Sequence, residues 1–224
     1  MDMKNWIIRY AVFIIGLYFL TLGVVLIIRS SLGTSPISSF SYVLSLNTPL
    51  TLGMATFILN MMLIAGQFWF LRGLGTRRDY MEIMMQIPFS LLFSAFLDFN
   101  MFLFKGMVPG SYAGSFAILA VGCLVQAFGV VLEMKPNVVA MSGEGFVKYA
   151  ARRFNKDFGR VKVMVDVGLV LLAVVTSLVM AHKIIGVREG TVVAALGVGL
   201  LVTQINTRLI GKIPVHKILE KINN

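Results

Sequence analysis

The chain has 224 residues, of which 58% are hydrophobic and 13% charged, and its 20 Lys and Arg stand against 10 Asp and Glu for a net charge of +10. A soluble domain carries about a quarter charged residues. The composition therefore excludes a disordered chain and an ordinary soluble enzyme and, with a single cysteine, a disulfide-stapled scaffold, and it points to an integral membrane protein.

A helix crossing the hydrocarbon core needs about 20 largely apolar residues. The first such stretch, 6–28, is too long for a signal peptide, and the Arg29–Gly33 region after it is not a small-residue cleavage site. Ser35 followed by Pro36 then marks a helix start, with a hydroxyl to cap and a ring that needs no N–H donor, and a short helix is expected over 36–46 before Asn47 and Pro49. A second span covers 51–71 and holds Asn60; a third covers 81–104 and holds Gln86, Asp98 and Asn100. The fourth, 112–134, carries Gln126 and ends on Glu133, which reads as an interfacial ion pair with Lys135.

A second short helix follows over 143–156, opened by Ser142 and Glu144, and its alternation of Phe146, Tyr149 and Phe154 with Lys148, Arg152 and Arg153 suits the cytoplasmic interface. The fifth span, 161–182, contains Asp166, and the sixth, 190–210, contains Gln204 and Asn206. Residues 213–224 read as a cytoplasmic amphipathic tail. With the N-terminus inside, 16 of the 20 Lys and Arg fall in inner segments, so both termini are expected in the cytoplasm of a bacterial inner-membrane protein. The basic runs are then accounted for by topology and by anionic lipid on the cytoplasmic side rather than by nucleic acid.

Sliding the chain against itself by 106 residues puts Gly16 on Gly122, Gly23–Leu26 on Gly129–Leu132, Arg29 on Lys135, Gly53 on Gly159 and Asn60 on Asp166. The expectation is an all-α membrane protein of six spans, built as two three-helix repeats, 1–106 and 107–212, each with a short interfacial or re-entrant helix after its first span. Three is odd, so the second repeat enters from the opposite side, as in many secondary transporters. The alternative is a six-helix bundle whose glycines simply allow close packing.

Ionisable groups inside spans cost roughly 2.5–3.5 kcal/mol on insertion scales and are functional candidates. Asn60 and Asp166 are the central candidates for a polar ligand, a cation or a proton, or else they bridge helices. Ser35, Ser142 and Glu144 sit at short-helix starts that either face a ligand with free N–H groups or only set loop length. Asp98, Gln126 and Gln204 are candidate lining residues. Two histidines, His182 and His216, and the lone Cys123 offer no metal cage, no phosphate or dinucleotide loop is present, and Ser35 with His182 is a poor catalytic pair, so neither enzymatic activity nor a cofactor is expected.

Arg9-Tyr10 before the first span, Leu32-Gly33-Thr34-Ser35-Pro36, and Thr51-Leu52-Gly53 together resemble the bacterial YczE/YyaS/YitT-like membrane proteins. Phe158-Gly159-Arg160 with Asp166, and Gly186-Val187-Arg188-Glu189-Gly190-Thr191, resemble the YczE-like branch. The resemblance implies a small multi-helix inner-membrane protein of the kind sometimes grouped with exporters, and it assigns no catalytic residue. The functional expectation is a small-molecule permease of unknown substrate, with a homodimer as one form it could take. The alternative is a membrane-embedded binding or accessory subunit, a scaffold for another membrane system.

Overall fold

The computed structural model describes residues 3–205, with side chains from residue 6 onward. Among those residues the chain is all helix: α1 (Met3–Arg29), α2 (Pro36–Asn47), α3 (Leu52–Phe70), α4 (Arg77–Leu103), α5 (Tyr112–Met134), α6 (Ser142–Phe154), α7 (Phe158–Ala181) and α8 (Glu189–Ile205). Five of them, α1, α3, α4, α5 and α7, are long and apolar enough to cross a membrane, as a multi-pass integral membrane protein requires. The sixth expected span is described only as the 17 apolar residues of α8. Its final part with Asn206, and the expected tail 213–224, lie outside the described residues. At 12 and 13 residues, α2 and α6 are too short to cross.

Local chemistry sets the helix ends. Thr51 Oγ1 accepts from Met54 N–H at the start of α3. At α4, Thr76 Oγ1 accepts from Asp79 N–H while the Asp79 carboxylate accepts from Thr76 N–H, a reciprocal cap. This cap starts α4 at Arg77, four residues before the hydropathy pattern places it. At α7 the Asp157 carboxylate accepts from Arg160 N–H in a one-way cap, so that helix starts at Phe158 rather than at 161. Asn155 and His182 close α6 and α7 in left-handed conformations, the usual way a helix satisfies its last carbonyls.

The centre of the molecule is α1 laid along α5. A β-carbon at Gly16 would meet the backbone of Leu132 and Glu133, and one at Gly122 would meet Ile27. A β-carbon at Gly23 would meet Gln126, and one at Gly129 would meet Leu20 and Phe19. The backbones approach as closely as small residues allow, which is how helices associate where no hydrophobic effect drives them together. One core gathers Phe13 and Leu17 of α1 with Phe89, Phe93 and Leu97 of α4. A second gathers Ile64 and Phe70 of α3 with Val147 and Tyr149 of α6.

The packing partners follow a pattern. Helix α1 packs on α4 and α5 on α8; α2 packs on α7 and α6 on α3; α2 packs on α3 and α6 on α7. Exchanging α1–α4 for α5–α8 leaves these pairs unchanged. One pair breaks the rule: α3 packs on α4, and among the described residues no comparable packing joins α7 to α8.

Helix α6 does not lie loosely on a surface. It buries Gly143, Gly145, Val147, Tyr149, Ala150 and Ala151. Its basic face, expected at the cytoplasmic interface, also bonds to the protein: Lys148 pairs with Glu82 at 2.7 Å, Arg152 with Asp79 at 3.1 Å, and Arg153 donates to the Arg72 carbonyl at 3.2 Å. Helix α2, with Ser38, Ser39, Ser41 and Val43 buried, is likewise an internal helix.

Candidate functional site

Where α2 and α6 begin, the bundle holds a cavity of about 350 Å³. The first residues of both short helices line it, with Thr56 and Asn60 from α3, Gln126 and Glu133 from α5, Lys162 and Asp166 from α7, and Ala194, Val198 and Gly199 from α8. The two helix starts touch, since a β-carbon at Gly143 would strike the Ile37 side chain.

Each polar group has a local reason to be there. Pro36 occupies the first position of α2, and Ser35 sits before it in extended conformation without a side-chain capping bond. The Ser35 hydroxyl donates instead to Ser38 Oγ at 3.0 Å, so the expected cap is replaced by a hydroxyl pair at the cavity edge. In α6 the position before the helix is Met141, and Ser142 is its first residue. That placement frees the Ser142 hydroxyl to donate to Asn60 Oδ1 at 2.8 Å, while its carbonyl accepts from Gln67 Nε2 at 3.1 Å. Gln67 and Gln86 exchange two bonds at 2.9 Å and are fully buried, so they bridge helices and line no path.

Asn60 and Asp166 share the cavity without bonding to each other. Asp166 Oδ1 takes the Lys162 ammonium at 2.6 Å, one helical turn away. Asn60 is 7% exposed, and its Nδ2 has no partner. Gln126 is equally buried, and its Oε1 has none either. Glu144 is half-buried at the rim of the α6 start, where burial pushes its carboxyl above the usual range and the nearby Lys162 ammonium pulls it back.

Two expected lining residues lie elsewhere. The Asp98 carboxylate accepts from Thr51 Oγ1 at 2.6 Å and from Gly53 N–H at 2.7 Å, which makes it the cap of α3. Gln204 is exposed on α8, outside the cavity lining. Conversely, Glu133 is 3% exposed and faces the cavity, although its place beside Lys135 reads as a helix end at the interface. The signal for it was spacing. Glu133 lies seven residues after Gln126 on the same face of α5, and each lies against a glycine of α1, Gly16 and Gly23, also seven apart.

The same offset of 106 that aligns the halves also relates residues across the cavity. Leu20 and Gln126, Ser38 and Glu144, Thr56 and Lys162, Asn60 and Asp166, and Phe93 and Gly199 are corresponding positions, and all ten residues line it. The α1–α5 contact keeps the register too: Gly16 meets Glu133 and Gly122 meets Ile27, which is one contact seen from both halves.

The chain belongs to a family of unknown function, DUF6198, whose model matches residues 7–207. No curated protein and no solved structure matches it.

Proposed function

We propose that the chain is a small-molecule permease of the bacterial inner membrane, working by alternating access between two inverted three-helix repeats, with both termini cytoplasmic. The observation that carries this reading is the position of the cavity, at the meeting of the halves and lined by corresponding residues from each. Transporters of inverted design bind at such a junction, between discontinuous helices whose N-termini point at the site. Here α2 and α6 supply those termini.

Support comes also from the exchange of packing partners between α1–α4 and α5–α8. The resemblance to the YczE-like branch, with its grouping among exporters, belongs to the same reading. The Ser142–Asn60 bond ties the start of α6 to α3, one from each half, and a rocking of the halves breaks it. Gln126 Oε1 and Asn60 Nδ2, held without partners at a buried wall, cost free energy until a ligand satisfies them. The protein binds and moves its substrate without transforming it.

The test needs no knowledge of the substrate. In a Cys123→Ser background, single cysteines at Thr56 and Val198 are labelled with a membrane-impermeant thiol reagent in right-side-out and in inside-out vesicles. A permease exposes each cysteine to both sides, at different rates. Labelling from one side only fits the accessory-subunit reading and overturns this one. Tags on the two termini, cleaved by protease in inside-out vesicles alone, check the orientation.

A further inference from the structure

The charges on the cavity wall have a sign. Among the described residues lining it are three carboxyl groups, Glu133, Glu144 and Asp166, and one cation, Lys162. Lys162 already holds Asp166 at 2.6 Å. Two carboxyl groups are left to answer a ligand, and buried carboxylates at membrane depth are stable only when paired.

The helix starts do not reverse that sign. At α2, Pro36 has no N–H, and Ser38 N–H is already bonded to the Ser35 carbonyl at 3.0 Å. At α6, Glu144 stands in the first turn and offsets the partial positive charge of the helix. Among the described residues no three His, Cys, Asp or Glu are grouped as a cage of those residues alone would require.

The remaining wall is apolar, from Leu20, Leu59, Val130 and Val198, and carries one aromatic ring, Phe93. An aromatic face attracts an alkylated ammonium. Gln126 Oε1 and Asn60 Nδ2, both without a partner, lie just behind the cavity surface, so a turn of either side chain supplies an acceptor for an N–H or a donor for a polar group of the ligand. The cavity also has an open edge. Ala195 and Gly199 line it and are nonetheless exposed, on the side where, among the described residues, α7 and α8 share no comparable packing.

We infer that the substrate of this site is a small amphipathic organic cation, with Glu133 and Glu144 as its counter-charges, Phe93 and the apolar wall around its body, and Gln126 and Asn60 as its neutral polar contacts. The inference rests on the permease reading for what the cavity is for, and its chemistry is tested separately from transport.

The probe is benzyltrimethylammonium, titrated by calorimetry into the full chain purified in neutral detergent. Neutral neopentylbenzene and anionic phenylmethanesulfonate have nearly the same shape, and tetramethylammonium has the charge without the apolar body. The expected result is binding of the benzyl cation at least about tenfold tighter than any of the other three. Glu144→Gln and Glu133→Gln each weaken it by about tenfold or more while eluting as monodisperse protein. If either variant aggregates, the cation-against-sulfonate comparison on the unmodified chain decides. Sulfonate binding as tightly as the cation, or both glutamine variants keeping cation affinity within twofold, overturns the inference and leaves the permease reading standing. Cation binding in detergent with no flux of the same cation in proteoliposomes takes down the permease reading and leaves the ligand class.

Discussion

The two halves of the molecule use one register for different purposes. At corresponding positions around the cavity the first half presents Leu20, Ser38, Thr56 and Asn60, all neutral, where the second presents Gln126, Glu144, Lys162 and Asp166. Across the α1–α5 contact, Ile27 corresponds to Glu133. Among the described residues, half of the apolar window of α3 is buried against 17% of that of α7, and α3 packs on α4 where no comparable packing joins α7 to α8. The lesson is a division of labour. Contacts that hold the halves together are shared between them. Charge and openness, which a ligand needs, are concentrated in one.

The largest effect expected from breaking that comparison is at the shared glycines. Leu at Gly23 or at Gly129 drives a side chain into the backbone or Cβ of the facing helix, at or beyond the ~3 kcal/mol upper end of ordinary overpacking. Both variants should lose the monodisperse peak in size-exclusion chromatography, and to the same degree. Gly197→Leu, where nothing lies within 4 Å, should keep it. Loss in one member of the pair alone would mean that the common register does not hold the halves together.

The next effect separates the halves. Asp98→Ala removes both bonds that anchor the start of α3, one from Thr51 Oγ1 and one from Gly53 N–H, at a cost of about 2–3 kcal/mol for bonds to a charged acceptor. The corresponding start of α7 relies on its own Asp157, and Asp157→Ala should cost about 1 kcal/mol, the usual value of a lost cap. Thermal unfolding followed by tryptophan emission reads both. Equal losses would erase the contrast in how the halves are secured.

Five of the spans and the glycines that face each other between α1 and α5 were legible in the sequence because the bilayer imposes length and close packing imposes small residues. The start of α4 was not, since the Thr76–Asp79 cap lies in a charged stretch that hydropathy rejects. Asp98 reads as an ionisable group exposed to a path because the partners that use it stand 45 and 47 residues away in the chain. Glu133 was hidden by its neighbour Lys135: only the approach of α1, made possible by Gly16, turns that end of α5 inward. The offset relates Asn60 to Asp166, and the Lys162 partner of Asp166 is one turn away on the same helix, but the Ser142 partner of Asn60 depends on how α6 docks on α3. Apart from the local cap of α4, what escaped the sequence is set by contacts between helices distant in the chain.

Above the ordinary carboxylate range, a pH dependence should follow the charged half. Burial raises the Glu144 carboxyl above its ordinary 4.5, with Lys162 opposing and with Glu133 and Asp166 on the same cavity wall. The folded state therefore holds the Glu144 proton more tightly than the unfolded chain does. Its contribution to stability is full below the ordinary value and is lost as pH rises from there toward the raised one, by at most ~1.4 kcal/mol per pH unit. Melting temperatures in detergent should fall over that interval, and Glu144→Gln should flatten the fall. Ser38, the corresponding residue of α2, has no titrating group, so Ser38→Ala should leave the slope as it is. An unchanged slope in Glu144→Gln would detach the acidity from this site.

The smallest effect lies where α6 meets α4. Lys148 and Glu82 are 2.7 Å apart but 47% and 25% exposed, so water screens the pair and ordering two long side chains offsets much of the attraction. A double-mutant cycle with Lys148→Met and Glu82→Gln should give a coupling below ~1 kcal/mol, falling further in high salt. The cycle still discriminates, because it asks whether the basic face of α6 is held by protein or by lipid. If α4 holds it, the coupling persists in neutral detergent and is unchanged when anionic lipid is added. If lipid holds it, the coupling vanishes in neutral detergent and each single variant weakens lipid-dependent stability by itself. The buried face of α6, with Val147 and Tyr149 packed on α3 and α4, makes the first outcome the expected one.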